Sequence, residues 1–150
     1  MKKHLVIYSA LFIGTAALFG CIKGNEQSPR EKLLTAKEWK LFDITRKSIL
    51  NPNQDSSILK ACTSDDRIRF SANKHFGFYD NTTTCDTTIF QYDSGSWRFF
   101  NSENALFLDG NRKDQTWSVL TLNDSILKVQ WFDSVSVENK ILKTITLKNK

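Results

Sequence analysis

From Arg67 to the end of the chain, apolar side chains recur at every second position, and this alternation constrains the fold more than any other feature. Ile68 and Phe70 alternate with Arg67 and Arg69, Phe76 and Phe78 with Gly77 and Tyr79, Trp97 and Phe99 with Arg98, and Leu106 and Leu108 with Phe107. Trp117, Val119 and Thr121 then alternate with Ser118, Leu120 and Leu122, and Leu127, Val129 and Trp131 with Lys128 and Gln130. Last, Ile141, Lys143, Ile145 and Leu147 alternate with Leu142, Thr144, Thr146 and Lys148, while Ile89 to Tyr92 reads as a weaker strand. A two-residue period belongs to an extended chain whose side chains leave by opposite faces. Ser71-Ala72-Asn73, Asp93-Ser94-Gly95, Asp109-Gly110-Asn111 and Asn123-Asp124-Ser125 supply turns between the runs. Short strands punctuated in this way predict an antiparallel meander. About eight such strands are enough to close a barrel, and closure removes the exposed edges that invite aggregation.

The start of the chain has a different character. Lys2 and Lys3 precede an uncharged apolar stretch, Leu5 to Phe19, of the length of a signal-peptide core and short for a membrane span. Leu18-Phe19-Gly20-Cys21 resembles the bacterial lipobox. That resemblance implies cleavage after Gly20, diacylglycerol on Cys21 and acylation, typically palmitate, of the new amino terminus. Two or more acyl chains meet the requirement for stable anchoring. The expected organisation is a signal peptide over 1–20, a polar tether over 21–27 and one β-domain over 28–150. Ile22-Lys23 lacks an acidic residue at the second position, so the expected address is the outer membrane of a cell envelope, reached through lipid on Cys21.

Charge and cysteine content narrow the function. The formal net charge is +5, and two of the positive groups are Lys2 and Lys3 of the signal. Elsewhere the signs are interspersed, with no basic stripe of the kind that tracks nucleic acid. Of three cysteines, Cys21 is assigned to lipid, leaving Cys62 and Cys85. An even remainder in an oxidising compartment reads as one disulfide, and closing its loop is worth roughly 3–4 kcal/mol by chain entropy. The C-x-x-C spacing of a redox pair is absent. His75 is the one histidine after the signal, so a zinc site would lack ligands. Asp65-Asp66 lacks the spaced acidic ligands of a calcium loop and reads as a strand-start turn. No serine sits in a nucleophile motif. No catalytic residue, metal or cofactor is assigned.

Ser28-Pro29-Arg30-Glu31 is a capping box, with proline at the first helical position. It predicts a short helix to about Ala36 with Leu33 and Leu34 turned inward. Trp39 to Arg46 reads as the first strand, although Trp39, Leu41, Phe42 and Ile44 do not keep a single period and leave its facing open. Lys47 to Asp66 is polar, with turn signals at Asn51-Pro52-Asn53 and Asp55-Ser56-Ser57, and reads as a long loop. Its Ile49, Leu50, Ile58 and Leu59 would form the underside of a lid.

The order of these signals carries a family resemblance. A capped helix runs into Leu33-Leu34-Thr35-Ala36-Lys37-Glu38-Trp39-Lys40-Leu41. Cys62-Thr63-Ser64-Asp65-Asp66-Arg67-Ile68-Arg69-Phe70, Phe76-Gly77-Phe78, Cys85, Gly95-Ser96-Trp97 and Leu120-Thr121-Leu122-Asn123-Asp124-Ser125-Ile126-Leu127 follow. From Leu33 to Leu147 the chain resembles the small lipocalin-like lipoproteins of Gram-negative bacteria. The resemblance implies an all-β, up-and-down antiparallel eight-stranded barrel, with a disulfide and a short N-terminal helix plugging one end. Trp39 would pack across that end, and Lys140 or Lys143 would stand in for the arginine that covers this tryptophan in lipocalins.

Such a barrel is either filled by its own side chains or holds one small ligand. Phe70, Phe76, Phe78, Trp97, Phe99, Trp117 and Trp131 point inward on the strand period and suit either state. The expected function is therefore binding of a small apolar or amphipathic ligand in the barrel or at its mouth. A filled barrel acting on an envelope protein, as an inhibitor or accessory subunit, is the alternative.

Overall fold

The computed structural model describes residues 26–48, 55–85, 93–134 and 140–149. The expected signal, Cys21, most of the expected tether, Ile49 and Leu50 of the expected lid, and the expected strand Ile89 to Tyr92 lie outside the described residues. The described chain forms helix α1 (Pro29–Thr35), then β1 (Glu38–Ser48), β2 (Asp55–Ser57), a short 3₁₀ turn at Ala61–Thr63, β3 (Arg67–Phe70) and β4 (His75–Tyr79). After these come β5 (Ser94–Phe100), β6 (Ala105–Gly110), β7 (Gln115–Leu122), β8 (Ile126–Ser134) and β9 (Lys140–Asn149). Neighbours pair antiparallel in the order β1-β3-β4-β5-β6-β7-β8-β9, and β9 returns to β1 from Trp39–Asn149 to Ser48–Ile141. The result is the expected closed eight-stranded up-and-down barrel. The short β2 is a ninth strand, lying beside the far half of β1 through Thr45–Ser57 to Lys47–Asp55.

Two β-bulges explain where the alternation misleads. Between β1 and β9 the register shifts between Leu41 and Asp43, so Trp39, Leu41 and Ile44 all face inward although their spacing is uneven. Phe42 is the extra residue; its ring is 52% exposed, with the Lys148 ammonium 3.3 Å from the ring centroid. A second shift lies between Val119 and Thr121. It pushes Leu120 outward and packs Leu122, rather than Thr121, against the core. An inserted residue flips every side chain beyond it to the other face.

Two of the predicted turns are corrected. Ser94 and Gly95 belong to β5, Asp109 and Gly110 belong to β6, and the glycines face each other in the β5–β6 pair. A Cβ on Gly95 would stand 1.9 Å from the Asp109 carbonyl oxygen, so the glycine is there for close backbone approach rather than for a turn. The loop expected over Lys47 to Asp66 is corrected as well. β1 runs on to Ser48, and Asp55–Ser57 pairs with it, so the Asp55-Ser56-Ser57 turn signal is a strand. The Ile58 amide continues the pairing onto the Ile44 carbonyl.

The helix closes one end of the barrel. The Ser28 hydroxyl accepts from the Glu31 amide at 3.0 Å and the Glu31 carboxylate accepts from the Ser28 amide at 3.4 Å, completing the capping box. Leu34 is fully buried, worth about 1.5–3 kcal/mol of apolar transfer, and Leu33 is half-buried. Glu31 pairs with Lys74 in the β3–β4 turn, and Lys74 lies over the Trp97 ring, tying the helix to the barrel floor. Trp39 is completely buried beneath the helix, with its indole N–H donating to the Leu34 carbonyl at 2.9 Å. Lys143 does not cover Trp39: it lies at the opposite end of the barrel, on Asp133. The Lys140 side chain lies outside the described residues.

Candidate ligand-binding cavity

The barrel divides along its axis. The seven inward aromatic side chains predicted from the alternation form one unbroken series of ring contacts: Phe99–Trp97, Trp97–Phe70, Phe70–Phe76, Phe76–Phe78, Phe78–Trp117 and Trp117–Trp131. Most centroid separations are near 5.9 Å and edge-to-face, the arrangement the ring quadrupole favours. Phe70, Phe76, Trp97 and Phe99 fill the end closed by α1, where the Trp97 indole donates to the Ser71 carbonyl at 3.1 Å. Phe78, Trp117 and Trp131 are set further along the axis and line a cavity of about 370 Å³.

Leu41, Ile44, Ile68, Ile145 and Leu147 complete the cavity wall, so its surface is overwhelmingly apolar. Its polar groups gather at the open end: Thr63, Asp66 and Arg67 from the entry to β3, Asp93 before β5, and Arg112, Lys113 and Gln115 at the β6–β7 connection. No sequence pattern announces this rim, because its members come from separate connections with no common spacing. Gln115 holds the wall in place, its side-chain oxygen accepting from the Trp117 indole at 2.9 Å.

Two devices fix the rim. Cys62 and Cys85 form a disulfide, with Cα atoms 5.1 Å apart, beside a second clamp in which Asp65 accepts from the Thr82 and Thr83 amides at 2.9 and 3.0 Å. Asp65-Asp66 thus serves as a strand-start clamp, and the Asp66 carbonyl accepts from the Leu41 amide at 2.8 Å. Among the described residues no group of three His, Cys, Asp or Glu side chains could hold a metal ion. His75 is exposed at the start of β4, far from the rim along the strand.

At the far end of β8, Asp133 sits between two lysines. Its carboxylate accepts from Lys143, and Lys113 lies 3.5 Å from its other oxygen. The Lys143 hydrogen bond, opposed by partial burial and helped by the charges of both lysines, holds the Asp133 carboxyl below the usual carboxylate range. The Lys113 ammonium is 67% exposed, and a pair of that kind contributes about 0–1 kcal/mol.

None of the curated proteins matches the chain. The family model for the lipocalin-like domain matches residues 35–129, more than half of the sequence and most of the barrel. Barrel closure, helix-plugged floor and interior cavity agree with that match, and the chain belongs to the lipocalin-like domain family.

Proposed function

We propose that this chain is a lipid-anchored binding protein of the cell envelope, whose lipocalin-like barrel holds a small apolar or amphipathic ligand. The observation that carries the reading is the apolar cavity of about 370 Å³, walled by Phe78, Trp117 and Trp131 and ringed by polar groups at one end. Its volume falls within the range of small-molecule sites, and an apolar well with a few polar groups is their usual make-up. Phe70, Phe76, Trp97 and Phe99 support the site from below as packed core. The alternative, a filled barrel acting on another envelope protein, calls for a packed interior, and the cavity weighs against it.

Support for the anchor comes from the sequence: a short apolar signal core ending in Leu18-Phe19-Gly20-Cys21, followed by Ile22-Lys23. Native mass spectrometry of the protein purified from its own host tests the binding role. A co-purified small molecule is the expected result; a bare mass, together with no uptake of an apolar fluorescent probe, rejects it. Membrane fractionation tests the anchor: Cys21→Ser releases the protein from membranes, and unchanged retention rejects lipidation.

A further inference from the structure

The barrel wall is incomplete between β7 and β8. β7 and β8 pair from Leu122–Leu127 to Ser118–Gln130, and no pairing joins residues 115–117 to 131–134. On their other sides both segments stay in the sheet, β7 through Leu108–Gln115 and β8 through Ser134–Lys140. The gap therefore lies between two strands that are each held from behind. Outside it is a crevice of about 310 Å³. Lys113, Gln115 and Trp131 line both this crevice and the interior cavity, so these three side chains are the partition between them.

The partition has one fixed side and one loose side. Trp117 is buried and its indole is held by Gln115. Trp131 is half-buried and stacks on Trp117 at 5.7 Å, and its indole N–H has no hydrogen-bond partner among the described residues. Lys113 spans the gap to Asp133, but Asp133 keeps Lys143 when Lys113 swings away. The latch can thus open without leaving a bare carboxylate. Beside the opening Phe132 is 59% exposed, an apolar threshold on the outer face.

We infer that the gap between β7 and β8 is a side entrance for an anionic amphiphile, which slides its apolar part past Trp131 and exchanges its head group for Asp133 on Lys113. This rests on the cavity being a binding site. The charge of the head follows from what the lip offers. Asp93 is occupied by the Ser94 and Arg112 amides and Asp133 by Lys143, and Asp114 is exposed on the outer side. Lys113 is the releasable cation, and the neighbouring Arg112 guanidinium has no ion-pair partner among the described residues.

The test uses the full chain with cis-parinaric acid, a fluorescent anionic amphiphile, and its neutral methyl ester. Extending the register places Thr116 opposite Phe132, so oxidised Thr116→Cys/Phe132→Cys stitches the gap. Stopped-flow association of the acid is expected to slow about tenfold or more in the stitched protein, relative to either single-cysteine variant, because a required opening is blocked. Association at the single-variant rate overturns the side entrance and assigns entry to the barrel mouth. Lys113→Met needs no new bond: it is expected to weaken the acid about tenfold and leave the ester unchanged, as loss of one charge contact does. Equal weakening of both, or of neither, overturns the head-group assignment. Failure of the unmodified chain to bind acid or ester overturns the binding role itself, a result separate from the other two.

Discussion

The indole N–H of Trp39 donates to the Leu34 carbonyl at 2.9 Å, with both residues wholly shielded from water. This bond joins the plug helix to the first strand across the turn between them. Trp39→Phe keeps a ring but leaves the Leu34 carbonyl buried and unpaired, a loss of about 1–3 kcal/mol. The midpoint of urea denaturation should fall accordingly. An unchanged midpoint would show that the helix is held by packing alone.

The disulfide encloses a sequence separation of 23 residues at the cavity rim. Replacing both cysteines, as Cys62→Ala/Cys85→Ala, should lower stability by about 2–4 kcal/mol, chiefly by freeing the unfolded chain. Denaturation of the double variant beside the parent protein measures this. Matching stabilities would leave the Asp65 clamp as sufficient support for the rim.

Asp133 gives stability a specific acid dependence. Its carboxyl is held below the usual range by Lys143 and then by Lys113, so the folded protein binds that proton less readily than the unfolded chain. The contribution is complete above the ordinary Asp value of about 3.9 and disappears as pH falls through the lower folded value. Asp133→Asn should therefore cost stability at neutral pH, and the difference from the parent should shrink below about pH 4. A gap between the two proteins that stays constant on acidification would contradict the assignment.

Ile44 lies on the cavity wall just past the first bulge. Ile44→Trp puts extra volume into open space instead of into packed core. It should reduce uptake of cis-parinaric acid by about tenfold or more while leaving the unfolding free energy within about 1.5 kcal/mol of the parent. Full binding by the variant would place the ligand elsewhere.

The barrel was legible because most strands from β3 onward carry their own period, and the capping box announced the helix residue by residue. Other features left no local mark. The bulges at Phe42 and Leu120 are choices between two faces that both strands could offer, and only the partner strand decides them. β2 is Asp-Ser-Ser, whose composition signals a turn while its backbone completes a pair. The aromatic series shows the limit most clearly. Alternation says which face Trp97 and Trp131 occupy, but height along the barrel axis depends on tilt and closure. That height separates floor from cavity. Lys113, Asp133 and Lys143 meet only because the β6–β7 and β8–β9 connections lie at the same rim.

Since Trp39 pairs with Asn149, the chain enters and leaves the barrel at the floor. A fluorophore or affinity handle attached beside Asn149 would hang beneath the plugged base, leaving the mouth and the β7–β8 gap clear for titration.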